Sequence, residues 1–304
     1  MQRRDFLKDA TAASLGAWAL PGLLNNTDSF FKISLAEWSL RQPIRKGAMT
    51  NLDFPRVAKE FYGIEAVEYV NQFFVDKVSD QTYLKELKQR ADDLGVNNVL
   101  IMIDLWDYPT ASPDESVRIK SAEKHYGWID AAHTLGCHGV RINANGYDGK
   151  SMAEAADLFV DTLIRLSDYA QDREMNIMVE NHGGYSSNGK WLAMVMEKAG
   201  RDNVGTLPDF GNIKTAKNEE YDRYQLIEEL MPYAKGVSAK STEFTRKGQE
   251  ANMDYKRLMS IVKDAGFSGY VGVEFGGKLE EIHKKDGVML TKKLLEKIGQ
   301  EIDS

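Results

Sequence analysis

Three acidic residues in this sequence stand at the same kind of place. Glu180 lies in NIMVENHGG (176–184), Asp209 in NVGTLPDFGN (203–212) and Glu274 in GYVGVEFGG (269–277). Each closes an apolar, strand-forming run and is followed within a few residues by glycine. A carboxylate at the end of a buried strand is costly to desolvate unless positive charge faces it. Three such groups brought to one volume would repel, and one of them would have to protonate. A divalent cation resolves that conflict. An all-oxygen shell with an occasional imidazole suits Mn²⁺ or Mg²⁺, with Zn²⁺ or Co²⁺ as alternatives.

The question is then which elements bring residues 180, 209 and 274 together. Apolar or β-branched runs begin near Lys32, Ile64, Asn97, His138, Met175, Asn203, Lys235 and Gly269, at steps of about 34 residues. The segments between them carry helical periodicity over residues 55–62, 80–94, 154–170, 190–199, 221–230, 255–265 and 290–302. Ser112-Pro113-Asp114-Glu115 reads as a capping box with proline at the first helical position, opening a long helix that ends before Gly136. Gly63, Gly95, Gly200 and Gly266 stand where helices should stop. Strands alternating with helices, with no hairpin signal between them, point to a parallel sheet. Closure into a single-domain (β/α)8 TIM barrel over residues 30–304 is the simplest arrangement of eight such units. An open doubly wound sheet is the alternative, weakened by the lack of a glycine-rich phosphate loop after the first strand. In a barrel the C-terminal strand ends share one mouth. Glu180, Asp209 and Glu274 would then close strands five, six and eight, with Lys240 ending strand seven.

Composition bounds the partners. Residues 1–29 carry Arg3-Arg4-Asp5-Phe6-Leu7-Lys8, then a short apolar run and a small-x-small site at Ala17-Trp18-Ala19. This resembles a twin-arginine export signal, which implies a periplasmic location. The run is too short to span a membrane. The net charge is −7, and removing residues 1–29 deletes as many basic as acidic groups. An acidic chain of this kind is not expected to bind nucleic acid or, once the signal is gone, an anionic membrane. Cys137 is the only cysteine, so no intrachain disulfide can form, and it reads as inert packing.

Several stretches resemble the xylose-isomerase-like TIM-barrel superfamily, and within it sugar phosphate isomerase/epimerase-type proteins. They are VENHGG (179–184), LPDFGN (207–212), AKS (239–241) and GYVGVEF (269–275), with VEYVNQFF (67–74) and LGCHGVRIN (135–143) as weaker pieces. The resemblance covers residues 30–304. It implies a divalent metal held by Glu, Asp, His and Glu from strands five to eight, and acid/base roles for two glutamates on opposite faces of a ketose. Carried over, those glutamates are Glu180 and Glu274, with Asp209 as the ligand between them. This chain departs from the pattern twice. Ser238 stands where relatives have the strand-seven histidine, and Asn212 where many have a histidine three residues after the aspartate. The shell is then three protein ligands plus water, and the missing imidazoles argue against an apurinic endonuclease.

The remaining site residues carry more than one reading each. Lys240 can contact substrate, act as an electrophile beside the metal, form an imine or remain solvated. His182 can face substrate or the metal's surroundings, or be a hydrogen-bonded loop residue. Arg141 can bind a sugar oxygen or pair with a neighbouring carboxylate. Trp38, Asn71, Phe73, Trp106 and Tyr108 lie in or just after the first three strands, where rings can stack on a sugar face or simply pack the loops, and Asp104 can hydrogen-bond substrate. His125, His133, His138 and His283 fall away from the mouth, and Lys284-Lys285 and Lys292-Lys293 on solvated faces. The expected activity is isomerisation or epimerisation of a keto-sugar or sugar derivative through an enediolate, with a small-molecule sugar as substrate and a homo-oligomer possible. A 3-keto-glycoside lyase or hydratase is the alternative on the same site. A non-catalytic sugar-binding barrel is the second.

Overall fold

The computed structural model of the protein describes residues 29–277 and 286–303. Apart from Ser29, the twin-arginine segment expected over residues 1–29 lies outside the described residues, as do His283 and the Lys284-Lys285 pair. Eight strands form one parallel sheet: β1 Lys32–Ala36, β2 Ala66–Val70, β3 Asn97–Met102, β4 Gly139–Ile142, β5 Asn176–Glu180, β6 Val204–Leu207, β7 Val237–Ser241 and β8 Tyr270–Phe275. Their order is β6-β5-β4-β3-β2-β1-β8-β7. The seam between β6 and β7 is joined by backbone bonds from Lys235 N to Thr206 O (3.0 Å), Ser238 N to Pro208 O (2.9 Å) and Phe210 N to Ser238 O (3.1 Å). The result is a (β/α)8 barrel, and Asp209 sits on its seam, paired in a bridge with Ser238.

Among the described residues seven long helices surround it: α1 Gln81–Asp93, α2 Glu115–Leu135, α3 Met152–Gln171, α4 Gly189–Ala199, α5 Arg223–Leu230, α6 Tyr255–Asp264 and α7 Gly287–Asp303. Period-two alternation splits each strand between two cores. Outward residues such as Val67, Ile101, Val140, Ile177, Val179, Val237 and Val273 join Leu84, Trp128, Phe159 and Trp191 in the layer between sheet and helices. Inward residues Ala36, Ala66, Val70, Leu100, Met102, Met178 and Leu207 form a smaller cluster within the barrel. Each fully buried Leu, Val or Phe contributes about 1.5–3 kcal/mol. The barrel is held mainly by the outer layer, which leaves the inner face free for polar groups near the mouth. Among the described residues no helix is long and apolar enough to cross a membrane.

One local expectation needs correction. The helix after β3 begins at Glu115 with Asp114 as its cap, not at Pro113 with Ser112 as cap. Asp114 Oδ1 accepts from Ser116 N at 2.9 Å, while the Arg118 guanidinium takes the Ser112 and Pro113 carbonyls at 2.7 and 3.3 Å. Those two residues are thereby held outside the helix. Reciprocal capping occurs instead at Ser151 and Glu154, where α3 starts. The helix expected over residues 55–62 is present: an α-turn over Phe54–Arg56 runs directly into a π-turn over Val57–Phe61, and Gly63, at a φ of 62°, stops it. Elsewhere the stops are as expected: Gly136 and Gly200 take positive φ (78° and 55°) at the ends of α2 and α4, which glycine adopts without a Cβ clash.

Candidate active site

The strand ends set the geometry. Glu180 is the last residue of β5, Glu274 is near the end of β8, and Asp209 follows β6 by two residues. On β7, alternation sends Ser238 and Lys240 to the same inward face, with Ala239 in the outer core. The β7–β8 register places Lys240 opposite Glu274. One carboxylate oxygen from each of Glu180, Asp209 and Glu274 lies within 4.8 Å of the others, and all three residues are buried.

Asp209 is the most tightly held. Its Oδ1 accepts from the backbone N–H groups of Gly211 and Asn212, both at 2.8 Å, and its Oδ2 accepts from Ser238 Oγ at 2.7 Å. Asn181 fixes the same turn: its amide nitrogen donates to the Asp209 and Asn212 carbonyls, and its oxygen accepts from Asp209 N at 2.7 Å. Ser238 Oγ also lies 3.1 Å from Glu274 Oε2. The single hydroxyl hydrogen of Ser238 therefore lies within reach of two of the three carboxylates. Lys240 Nζ is 2.8 Å from Glu274 Oε1 and 3.4 Å from Asp209 Oδ2. Asn212 joins the halves, donating to Glu180 Oε1 at 2.9 Å and accepting from Lys240 Nζ at 3.2 Å.

Arg141 bonds to Asp104 Oδ1 at 2.6 Å. Its Nε lies 2.8 Å from Glu180 Oε2 without the alignment of a hydrogen bond, so both buried atoms lack a hydrogen-bond partner. Asn143 donates to the same Asp104 oxygen at 2.8 Å. Glu180, Asp209, Glu274, Lys240, Asn212, Arg141 and Asp104 thus form one connected network. The other proposed contacts stand around it. His182 is exposed, its ring 5.4 Å from that of Trp106. Trp38 stacks on Phe73 at 6.3 Å with the Arg41 and Arg45 cations over its ring. Asn71 is buried and braces the backbone of Asp104, which donates to its side-chain oxygen at 2.9 Å.

The electrostatics follow from burial and charge count. Burial pushes Glu180 up to about 8, against Arg141 and Lys240 and with Asp209 and Glu274. Burial also raises Asp209, with Lys240 opposing and Glu274 reinforcing. Burial acts the same way on Glu274, but the Lys240 ammonium and then Arg141 outweigh it and hold that carboxyl below its usual value. Lys240 and Arg141 are desolvated too, yet the surrounding carboxylates raise both.

Four buried carboxylates, Asp104 included, face two cations, so full ionisation leaves a deficit that a divalent ion would fill. The residues fit such an ion: hard oxygen donors converge, and Glu180 Oε2 is buried with no hydrogen-bond donor.

Sequence reading did not single out Asn181, Asn143, Arg41 or Glu68. Arg41 donates to the carbonyls of Trp38, Phe275, Gly276 and Gly277 at 2.6–3.1 Å, tying the loop after β1 to the end of β8. Glu68 lies within β2, 1% exposed, below the mouth. A carboxylate in the middle of AVEYV was the available signal for it; Arg41 had none.

Comparison with solved structures finds this architecture in a D-tagatose 3-epimerase-like protein (20% identity, 90% of this chain and 98% of that one, TM-score 0.66). It is also found in the IOLI protein with a binding zinc atom (17%, 89% and 99%, 0.70), and in 3-keto-D-glucoside 4-epimerase from E. coli (13%, 88% and 99%, 0.66). At these identities the likeness is one of fold. No curated protein matches the chain in sequence. The family profile described as Xylose isomerase-like TIM barrel matches residues 55–294, most of the chain, and the protein belongs to that family.

Proposed function

We propose that this protein is a sugar isomerase or epimerase that moves a proton at the carbon next to a carbonyl. The observation that carries the reading is the convergence of Glu180 and Glu274 on Asp209 at the barrel mouth, inside a network that contains Lys240 and Arg141. One glutamate takes the proton from one face of the substrate and the other returns a proton to the opposite face, through an enediolate. Asp209 and the two glutamates would hold a divalent cation, which supplies Lewis-acid polarisation of the carbonyl and the adjacent hydroxyl. Lys240 and Arg141 face the developing negative charge, and Trp38, Trp106 and His182 offer surfaces to a sugar ring. Solved proteins of this fold named for 3-epimerase and 3-keto-glucoside 4-epimerase activity support the substrate class. The twin-arginine run at Arg3-Arg4 supports export, and so a free sugar or glycoside in place of a sugar phosphate.

The test is proton–deuterium exchange in D₂O across a panel of ketoses and 3-keto-glycosides. Glu180→Gln and Glu274→Gln should each lower the exchange rate about a hundredfold or more. Exchange that survives both substitutions would overturn the assignment. A second reading, a sugar-binding barrel without catalysis, is favoured by the hydroxyl of Ser238 in the histidine's place. Tight sugar binding with no exchange on any substrate would establish it. Exchange accompanied by loss of a leaving group would identify the lyase chemistry instead.

A further inference from the structure

Lys240 is built into the carboxylate cluster. Its ammonium lies 2.8 Å from Glu274 Oε1, 3.4 Å from Asp209 Oδ2 and 3.2 Å from Asn212 Oδ1. Those carboxylates belong to the group whose oxygens converge within 4.8 Å. The stem is seated as firmly as the head. A Cβ placed on Gly211 would come within 2.6 Å of Lys240 Cδ and 2.9 Å of Cγ. Gly211 does not have a positive φ, so the backbone there does not require glycine. What the missing side chain provides is a slot in which the lysine stem lies. Ser238 completes the arrangement: its hydroxyl lies 2.7 Å from Asp209 Oδ2 and 3.1 Å from Glu274 Oε2, one oxygen of each acid, and gives its one hydrogen to either, beside the ammonium.

We propose that Lys240 is an internal cation that competes with a divalent metal for the Glu180, Asp209 and Glu274 oxygens. The metal binds only when the ammonium withdraws from them. The inference rests on the reading of these carboxylates as a cation site. An ammonium and a dication sharing oxygens at these distances repel well beyond thermal energy, so occupancy by one excludes the other. Lys240 then sets the metal affinity of the site, and metal uptake releases its ammonium from the acids.

Mn²⁺ binding to the full chain, stripped with chelator and followed by the electron paramagnetic resonance of the free ion, tests this. Lys240→Met should bind Mn²⁺ about tenfold or more tighter than the parent protein. Gly211→Ala keeps the lysine's charge, every carboxylate and the N–H to Asp209, but closes the slot; it should also bind tighter. Circular dichroism melts confirm that both variants are folded. Equal or weaker binding by Lys240→Met overturns the proposal. So does a gain in Lys240→Met with none in Gly211→Ala, because the effect would then be one of overall charge and not of shared position. If no variant binds Mn²⁺, the cation site itself is refuted, and this inference falls with it.

Discussion

Glu68 offers a test of how the inner face of the barrel tolerates charge. Its side chain points inward from β2, where Ser34 Oγ donates to Oε1 at 2.5 Å and Oε2 has no hydrogen-bond partner. Burial raises its pKa from 4.5 to about 7; the Ser34 bond opposes, Glu274 reinforces and Arg141 opposes. A pKa higher in the folded than in the unfolded state means the folded protein holds the proton more tightly. The associated stability is complete below about pH 4.5 and is lost as pH rises through about 7. At 1.36 kcal/mol per unit, the loss is on the order of 3 kcal/mol. Glu68→Gln keeps the acceptor for Ser34 and carries no charge at any pH. Equilibrium urea denaturation of the chelator-treated protein should show Glu68→Gln little changed at about pH 5 and more stable than the parent by roughly 3 kcal/mol at about pH 9. A stability difference that is the same at both pH values would refute the reasoning, since a steric or hydrogen-bond effect would not track the titration.

Two other expectations follow from the same structure. Arg141→Met leaves Asp104 and Glu180, whose side chains are 8% and 1% exposed, without their shared cation; urea denaturation should show a loss of about 3–5 kcal/mol at neutral pH. Cys137 is 6% exposed and burial raises its thiol pKa. A thiol reagent should therefore leave the folded protein unmodified and label one group per chain only after denaturation.

Much of the frame could be read from the sequence. The eight strands begin within two residues of the positions set by the apolar runs, because a strand buried on both faces must be nearly continuously apolar. Helix ends marked by Gly136 and Gly200 were equally legible, since the left-handed turn that ends a helix favours glycine locally. Errors came where a local signal had a competitor. Ser112 and Asp114 are both good caps, and the choice was made by Arg118, whose guanidinium binds the Ser112 and Pro113 carbonyls.

The groups that could do chemistry are legible from residue order alone: Glu180, Asp209 and Glu274 each end an apolar run, and the repeat of those runs implies a barrel that collects them. How their charge is managed depends on the assembled fold. Asn212 bridges Glu180 to Lys240, Ser238 spans Asp209 and Glu274, Gly211 makes room for a lysine stem, and Gly272 leaves space for Glu68, whose oxygens lie 2.6 Å from where its Cβ would be. These pairings join residues tens to hundreds of positions apart. Periodicity reports the face a residue takes within its own element. The partner it meets across the barrel depends on register and closure, which are properties of the assembled sheet.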